Sequence, residues 1–185
     1  VYRLAQEQSV EGLFVSGLEY VTDVKAPRLF ALTTAGEVLQ LEQRNKAMNA
    51  FIASLVEKMR SVDICTLLLK GQGIAQCYEK PLWRSCGDVD LFLSEEDYAN
   101  AKVFLSSLAS SVKEEFVREK HLGINMDGWT VELHGHLYSG LSPRVDGELR
   151  TLQHETFESK GTPDKTHYVR IWKNGSTDIP LLSAE

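Results

Sequence analysis

Leu67-Leu68-Leu69-Lys70-Gly71-Gln72-Gly73, followed by Arg84-Ser85-Cys86-Gly87-Asp88-Val89-Asp90-Leu91, is the stretch whose reading decides the fold. A short continuous apolar run, Ile64 to Leu69, stops abruptly at a lysine and a glycine. This reads as a buried strand ending in a glycine turn, with a short helix through Ile74–Tyr78 that Pro81 terminates. Asp88 to Leu93 alternates in character, as a second strand does. Side chains along a strand alternate faces, so Asp88 and Asp90 share one face while Val89, Leu91 and Leu93 share the other. Two carboxylates about 7 Å apart along a strand repel each other unless a cation lies between them. Hard divalent ions such as Mg²⁺ take such oxygen ligands together with substrate phosphates.

Outward from that stretch, helical and extended patterns alternate. The first third is helical, with Gly12 and Gly17 as expected breaks and Pro27 as punctuation. Apolar residues at Leu41, Met48, Phe51, Ile52, Leu55, Val56 and Met59 predict a helix from Glu37 to about Arg60. Ser94 caps a further helix that has acidic residues in its first turn and Ala101, Phe104, Leu105 and Leu108 on its apolar face. Asp127-Gly128 is a two-residue hairpin turn between Leu122–Met126 and Trp129–His134. A short helix near Glu148–Phe157 and a last hairpin around Asn174-Gly175 follow. The expected class is α+β, a mixed central sheet flanked by helices. A helical region at residues 1–62 is expected to pack on a core at residues 63–185.

The first hairpin carries a third carboxylate. Glu132, His134 and His136 occupy alternate positions, so they are expected on one strand face, with Val131, Leu133 and Leu137 on the other. If that face meets Asp88 and Asp90, three carboxylates converge. Two metal ions held that way stabilise the attacking and leaving oxygens of an in-line phosphoryl displacement. His134 then serves as a hydrogen-bonding support to the metal ligands. The rival reading is a His-x-His zinc or iron site built on His134 and His136, a metallohydrolase arrangement. A strand–glycine turn–helix with Lys70 at the strand end is a place where an anion can sit, although such a Gly-x-Gly alone is most often just a tight turn. Neither a Walker nor a Rossmann glycine pattern is present.

Composition narrows the partners. The chain has 185 residues, 26 Asp+Glu against 20 Lys+Arg, a formal net charge of −6 and 43% hydrophobic residues. That supports a buried core and argues against long nucleic acid as partner. No apolar run spans a bilayer and no secretory signal is visible, so no membrane partner is expected. Cys65, Cys77 and Cys86 are odd in number and lack a C-x-x-C pair, which fits a reducing, cytoplasmic setting. Val1 lies inside a helical pattern and Ser183-Ala184-Glu185 reads as a helix start, so the chain is expected to be a fragment cut before a further helical extension.

The ordered set of Leu68-Leu69-Lys70-Gly71, Tyr78, Pro81, Arg84, Gly87-Asp88-Val89-Asp90-Leu91 and Val131-Glu132-Leu133-His134 resembles the uncharacterised nucleotidyltransferase family of the DNA polymerase β-like superfamily. The resemblance implies a nucleotidyltransferase fold that uses Mg²⁺ or Mn²⁺ with ATP or another nucleoside triphosphate and an unidentified hydroxyl acceptor, a small molecule or a protein. It implies that Asp88, Asp90 and Glu132 hold metal, with Glu132 also taking the acceptor's proton. Lys70, Gly71, Gln72, Arg84 and Gly87 would line the phosphates. The superfamily usually has Gly-Ser or Gly-Gly in its loop, whereas this chain has Gly71-Gln72. That departure motivates the alternative of a catalytically inactive nucleotide-binding module of the same fold.

Overall fold

The computed structural model of the chain describes residues 1–138, 140–158 and 168–183. In chain order the elements are α1 (Tyr2–Glu7), α2 (Glu11–Leu18), α3 (Arg28–Arg60), β1 (Leu67–Leu68), α4 (Gln72–Ala75), a 3-10 turn (Pro81–Trp83) and β2 (Asp88–Phe92). After these come α5 (Glu95–Leu108), β3 (Ser111–Val112), β4 (His121–Met126), β5 (Trp129–His134), α6 (Pro143–Glu158), β6 (Val169–Asn174) and β7 (Thr177–Leu182). The seven strands form one mixed sheet in the order β3-β4-β5-β2-β1-β7-β6. β2 runs parallel to β5, and β1 parallel to β7; the other neighbours are antiparallel. The α+β expectation of a mixed sheet with helices is met.

The apolar alternation read from the sequence is what fills the core. Val89, Leu91 and Leu93 lie with Val131, Leu133, Leu122 and Ile124 in one buried cluster. That face is covered by Met48, Ile52, Leu55 and Met59 of α3 and by Ala101 and Leu105 of α5. Each such leucine or isoleucine contributes about 1.5–3 kcal/mol by leaving water. The opposite face carries Asp88 and Asp90 and is closed at one end by α6, where Phe157 meets Phe92 edge-on at 5.1 Å between ring centroids. Gln153 of α6 donates to the carbonyls of Leu93 and Gly135, at 3.0 and 2.6 Å, and so ties the helix to the ends of β2 and β5.

Several boundaries differ from the periodicity reading. α3 is 33 residues long and starts at Arg28, immediately after Pro27. Its first turns leave Leu29 and Leu32 exposed, so they carry no 3.6-residue burial signature. The break between α1 and α2 falls at Ser9, whose φ is +55°, while Gly12 and Gly17 lie inside α2. Gly12 serves close packing: a Cβ there would stand 1.9 Å from the Trp83 carbonyl oxygen. Only Leu67 and Leu68 of the first apolar run pair as strand, α4 occupies Gln72–Ala75, and α6 extends well beyond Glu148–Phe157. The central hairpin turns as expected, with Asp127 and Gly128 both at positive φ, the signature of a type I′ turn. Ala184 and Glu185 lie outside the described residues, and with them the expected helix start at Ser183-Ala184-Glu185. Among the described residues no helix is long and apolar enough to cross a membrane.

Candidate active site

The acidic strand and the hairpin strand do not face each other across a cleft; they are hydrogen-bonded neighbours. The parallel register pairs Asp88 with Thr130 and Asp90 with Glu132. Paired residues share a face, so Asp88, Asp90 and Glu132 gather on one patch of the sheet. One oxygen of each lies within 4.8 Å of the others. Oxygen ligands of one octahedral Mg²⁺ stand roughly 3 Å (cis) to 4 Å (trans) apart, given a metal–oxygen length of about 2.1 Å. The donor set and its spacing fit a hard divalent cation after small side-chain adjustments.

Asp90 is the centre of this patch. It is 0% exposed, and its Oδ1 receives hydrogen bonds from Lys70 Nζ at 2.9 Å and His134 Nε2 at 3.0 Å. Burial pushes its carboxyl upward, but the bonds from His134 and Lys70 outweigh that and hold it below the usual carboxylate value. Its Oδ2 is buried and has no partner among the described residues. An unsatisfied buried carboxylate oxygen costs free energy that a bound cation would recover. Lys70 is half exposed and reaches Asp88 at 4.0 Å as well. Burial works to lower its pKa, but the hydrogen bond and charge of Asp90, with Asp88 and Glu132 beyond, raise it above the ordinary lysine value. The ammonium thus lies among the carboxylates, bonded to one and 4.0 Å from a second.

The glycine turn is built to place Lys70. Gly71 has φ +58° and ψ −120°, a backbone region that a side chain strains, and a Cβ there would lie 3.2 Å from the Asp88 carbonyl. Arg84 Nη1 donates to the Gly71 carbonyl at 3.1 Å and to Cys86 Sγ at 2.9 Å, so the guanidinium braces the turn from behind. Gln72 is buried, and neither its amide nitrogen nor its oxygen has a partner among the described residues. Gly87 is exposed, and a Cβ there would meet open space. Cys86 is buried, whereas Cys65 and Cys77 are exposed thiols.

The expected placement of His136 on the same strand face as Glu132 and His134 is corrected. β5 ends at His134, and His136 lies past it, bonded through Nε2 to Glu95 Oε1 at 2.6 Å. The residue beside His134 is instead His121 of β4, paired with it in the antiparallel register. Counting back from a two-residue turn at Asp127-Gly128 gives that pairing, so the signal was present in the sequence. Asn45 of α3 also escaped notice. Its Nδ2 donates to the carbonyls of Leu82 and Arg84, both at 2.8 Å, fixing the segment that leads into β2. An asparagine on the buried stripe of a helix reads as an imperfection in the pattern, and nothing local names its partners.

A family model described as an uncharacterised nucleotidyltransferase matches residues 1–168 of the chain. That span includes all three carboxylates, Lys70 and the glycine turn, and leaves out the β6–β7 hairpin. No curated protein and no solved structure matches the chain.

Proposed function

We propose that this chain, which belongs to the uncharacterised nucleotidyltransferase family, transfers a nucleoside monophosphate from a nucleoside triphosphate to a hydroxyl acceptor, with the reaction centred on Asp88, Asp90 and Glu132. The observation that carries the reading is the buried Asp90 carboxylate, with an unpartnered Oδ2 and two further carboxylates within 4.8 Å. Asp88, Asp90 and Glu132 would hold Mg²⁺ or Mn²⁺, which would supply charge neutralisation at the transferring phosphorus. The core would then be of the DNA polymerase β-like kind, with the helices of residues 1–62 packed against it.

The chain's own groups account for the rest. Glu132 is half-buried and stands next to Asp90, and it takes the proton of the acceptor hydroxyl as that oxygen bonds to the α-phosphorus. The bond from phosphorus to the pyrophosphate oxygen breaks, and pyrophosphate leaves. Lys70 exchanges its carboxylate partners for phosphate oxygens as positive charge enters the acidic patch. Arg84 and Gly71 keep the turn in place, and Gln72 and Gly87 border the phosphate path. His134 holds Asp90 Oδ1 in position.

The test is incubation with each labelled nucleoside triphosphate, Mg²⁺ and cell extract, followed by analysis of what becomes labelled. Label transfer by the wild type and its loss in Asp90→Asn, with the fold retained by circular dichroism, is expected. Undiminished transfer by Asp90→Asn overturns the assignment. A second reading, a nucleotide-binding module without turnover, is favoured by the buried Gln72 amide in the turn, where the superfamily usually has a small residue. It predicts calorimetric binding of nucleotide with no product.

A further inference from the structure

The polar face continues beyond the three carboxylates. His121 and His134 sit opposite each other in the β4–β5 ladder, on the face that also bears Glu132. Their rings stack nearly parallel, 9° apart with centroids at 4.7 Å, and Phe116 stacks on the outer side of His121 at 5.8 Å and 15°. His121 Nε2 lies 3.3 Å from Glu132 Oε2, and His134 Nε2 lies 4.0 Å from the same oxygen. One donor atom of each of the three residues lies within 4.8 Å of the others. All three side chains are partly buried, between 19% and 28% exposed.

We propose that His121, Glu132 and His134 form a second cation site, selective for a borderline transition-metal ion such as Zn²⁺, that shares Glu132 with the acidic patch. Two imidazoles and one carboxylate are the donor set that zinc and its neighbours in the first transition row prefer, with positions left open for water or substrate. The oxygen-only set of Asp88, Asp90 and Glu132 suits Mg²⁺ instead. The two sets are therefore chemically distinct although they meet at one residue.

Two observations favour a ligand over a merely supportive role for the histidines. Among the described residues no lysine or arginine pairs with Glu132; its polar partners are these two imidazoles. The Lys70 ammonium acts on Glu132 only from its place beside Asp90, so a carboxylate whose direct partners are imidazoles still gains from a cation. The three-ring stack also fixes both imidazoles before any ion arrives, so little conformational entropy opposes ligation. His134 Nε2 also bonds Asp90 Oδ1 at 3.0 Å, so ligation through that nitrogen releases its proton and exchanges the bond to Asp90 for the metal.

The experiment uses Co²⁺ as a spectroscopic probe on the full chain, with visible d–d bands and competition by Zn²⁺ as readouts. Wild type is expected to show intense bands that Zn²⁺ abolishes and millimolar-excess Mg²⁺ does not. His121→Ala is expected to lose at least about 100-fold in Co²⁺ affinity, while its binding of Mn²⁺ with nucleotide persists. Asp88→Asn is expected to keep the cobalt bands. Circular dichroism and melting curves establish that each variant is folded, and His121→Gln serves as a second variant that retains a polar side chain. Absence of bands in wild type, or unchanged affinity in folded His121→Ala and His121→Gln, overturns the site. Because the transfer assay does not depend on Co²⁺ spectra, failure here leaves the nucleotidyl-transfer reading to be judged by its own test.

Discussion

Replacing Lys70 by Met isolates the ammonium's contribution while keeping most of its aliphatic stem. The ammonium bonds Asp90 at 2.9 Å, and Asp90 is wholly buried with one oxygen unpartnered among the described residues. Breaking a fully buried ion pair costs about 3–5 kcal/mol. Lys70 is 49% exposed and His134 still bonds the same carboxylate, so solvent screening and the remaining partner reduce that figure. A loss of about 1.5–3 kcal/mol follows, the range for a hydrogen bond to a charged group. At about 2–4 °C per kcal/mol for a chain of this size, the melting temperature in chelator should fall by about 3–12 °C. The metal-bound state is untouched by that loss, so affinity for Mn²⁺ alone should rise by about 10–100-fold, while nucleotidyl transfer falls for want of a phosphate partner. Calorimetric Mn²⁺ titration and melting curves with and without Mn²⁺ read both effects. An unchanged melting temperature in chelator, or weakened Mn²⁺ binding, would refute the idea that Lys70 holds the place of a cation.

Three further outcomes are expected. Asn45→Ala removes two hydrogen bonds, leaving the Leu82 carbonyl without its amide donor and the Arg84 carbonyl with the Cys86 thiol alone; it should cost about 1–3 kcal/mol in urea unfolding, and a neutral result would show that water replaces the amide. Gln72→Met replaces an unsatisfied buried amide by an apolar chain of similar length and should raise the ligand-free melting temperature; a lower one would mean the amide is satisfied by solvent. Glu115 is bonded by Lys102 and, at 2.8 Å, by the Tyr98 hydroxyl, and these bonds hold its carboxyl below the ordinary value. Its contribution is therefore present above the unfolded glutamate pKa of about 4.3 and lost as pH falls through the lower folded value. Melting curves of Glu115→Gln should decline less steeply than wild type below that pH, and coincident slopes would contradict the pairing.

What the sequence made legible was whatever local chemistry dictates. Alternation alone separates Asp88 and Asp90 from Val89 and Leu91, and the Asp127-Gly128 turn sets the register that brings Glu132 to its place. His136 misled because alternation was continued past the point where the strand ends. Its pull toward Glu95 on α5 is a tertiary contact with no local trace. The same holds for Asn45, whose acceptors lie far along the chain in a turn with no periodic pattern. Arg84 stands in a motif whose chemistry suggested phosphate. Its guanidinium holds the Gly71 carbonyl, and only the folded turn shows that second use.

The position of β7 has a consequence for the order in which the molecule can be made. β1 is only two residues long, and its outer edge is completed by a strand far downstream, Leu68 pairing with Leu181. Lys70 and the glycine turn hang directly from that short strand, and Leu181 lies against Gly73. During synthesis the acidic residues and their hairpin can find one another as soon as β2, β4 and β5 emerge, since β2 and β5 pair without help from the last segment. The strand that delivers Lys70 pairs with β2 on one side, and Leu69 N donates to the Asp90 carbonyl at 3.0 Å, while its other side is completed by β7. Long-range pairing of this kind is slow to form. The acidic patch thus rests on the β2–β5 pairing alone, whereas the support of the Lys70 turn also draws on a pairing of much higher sequence separation, Leu68 with Leu181.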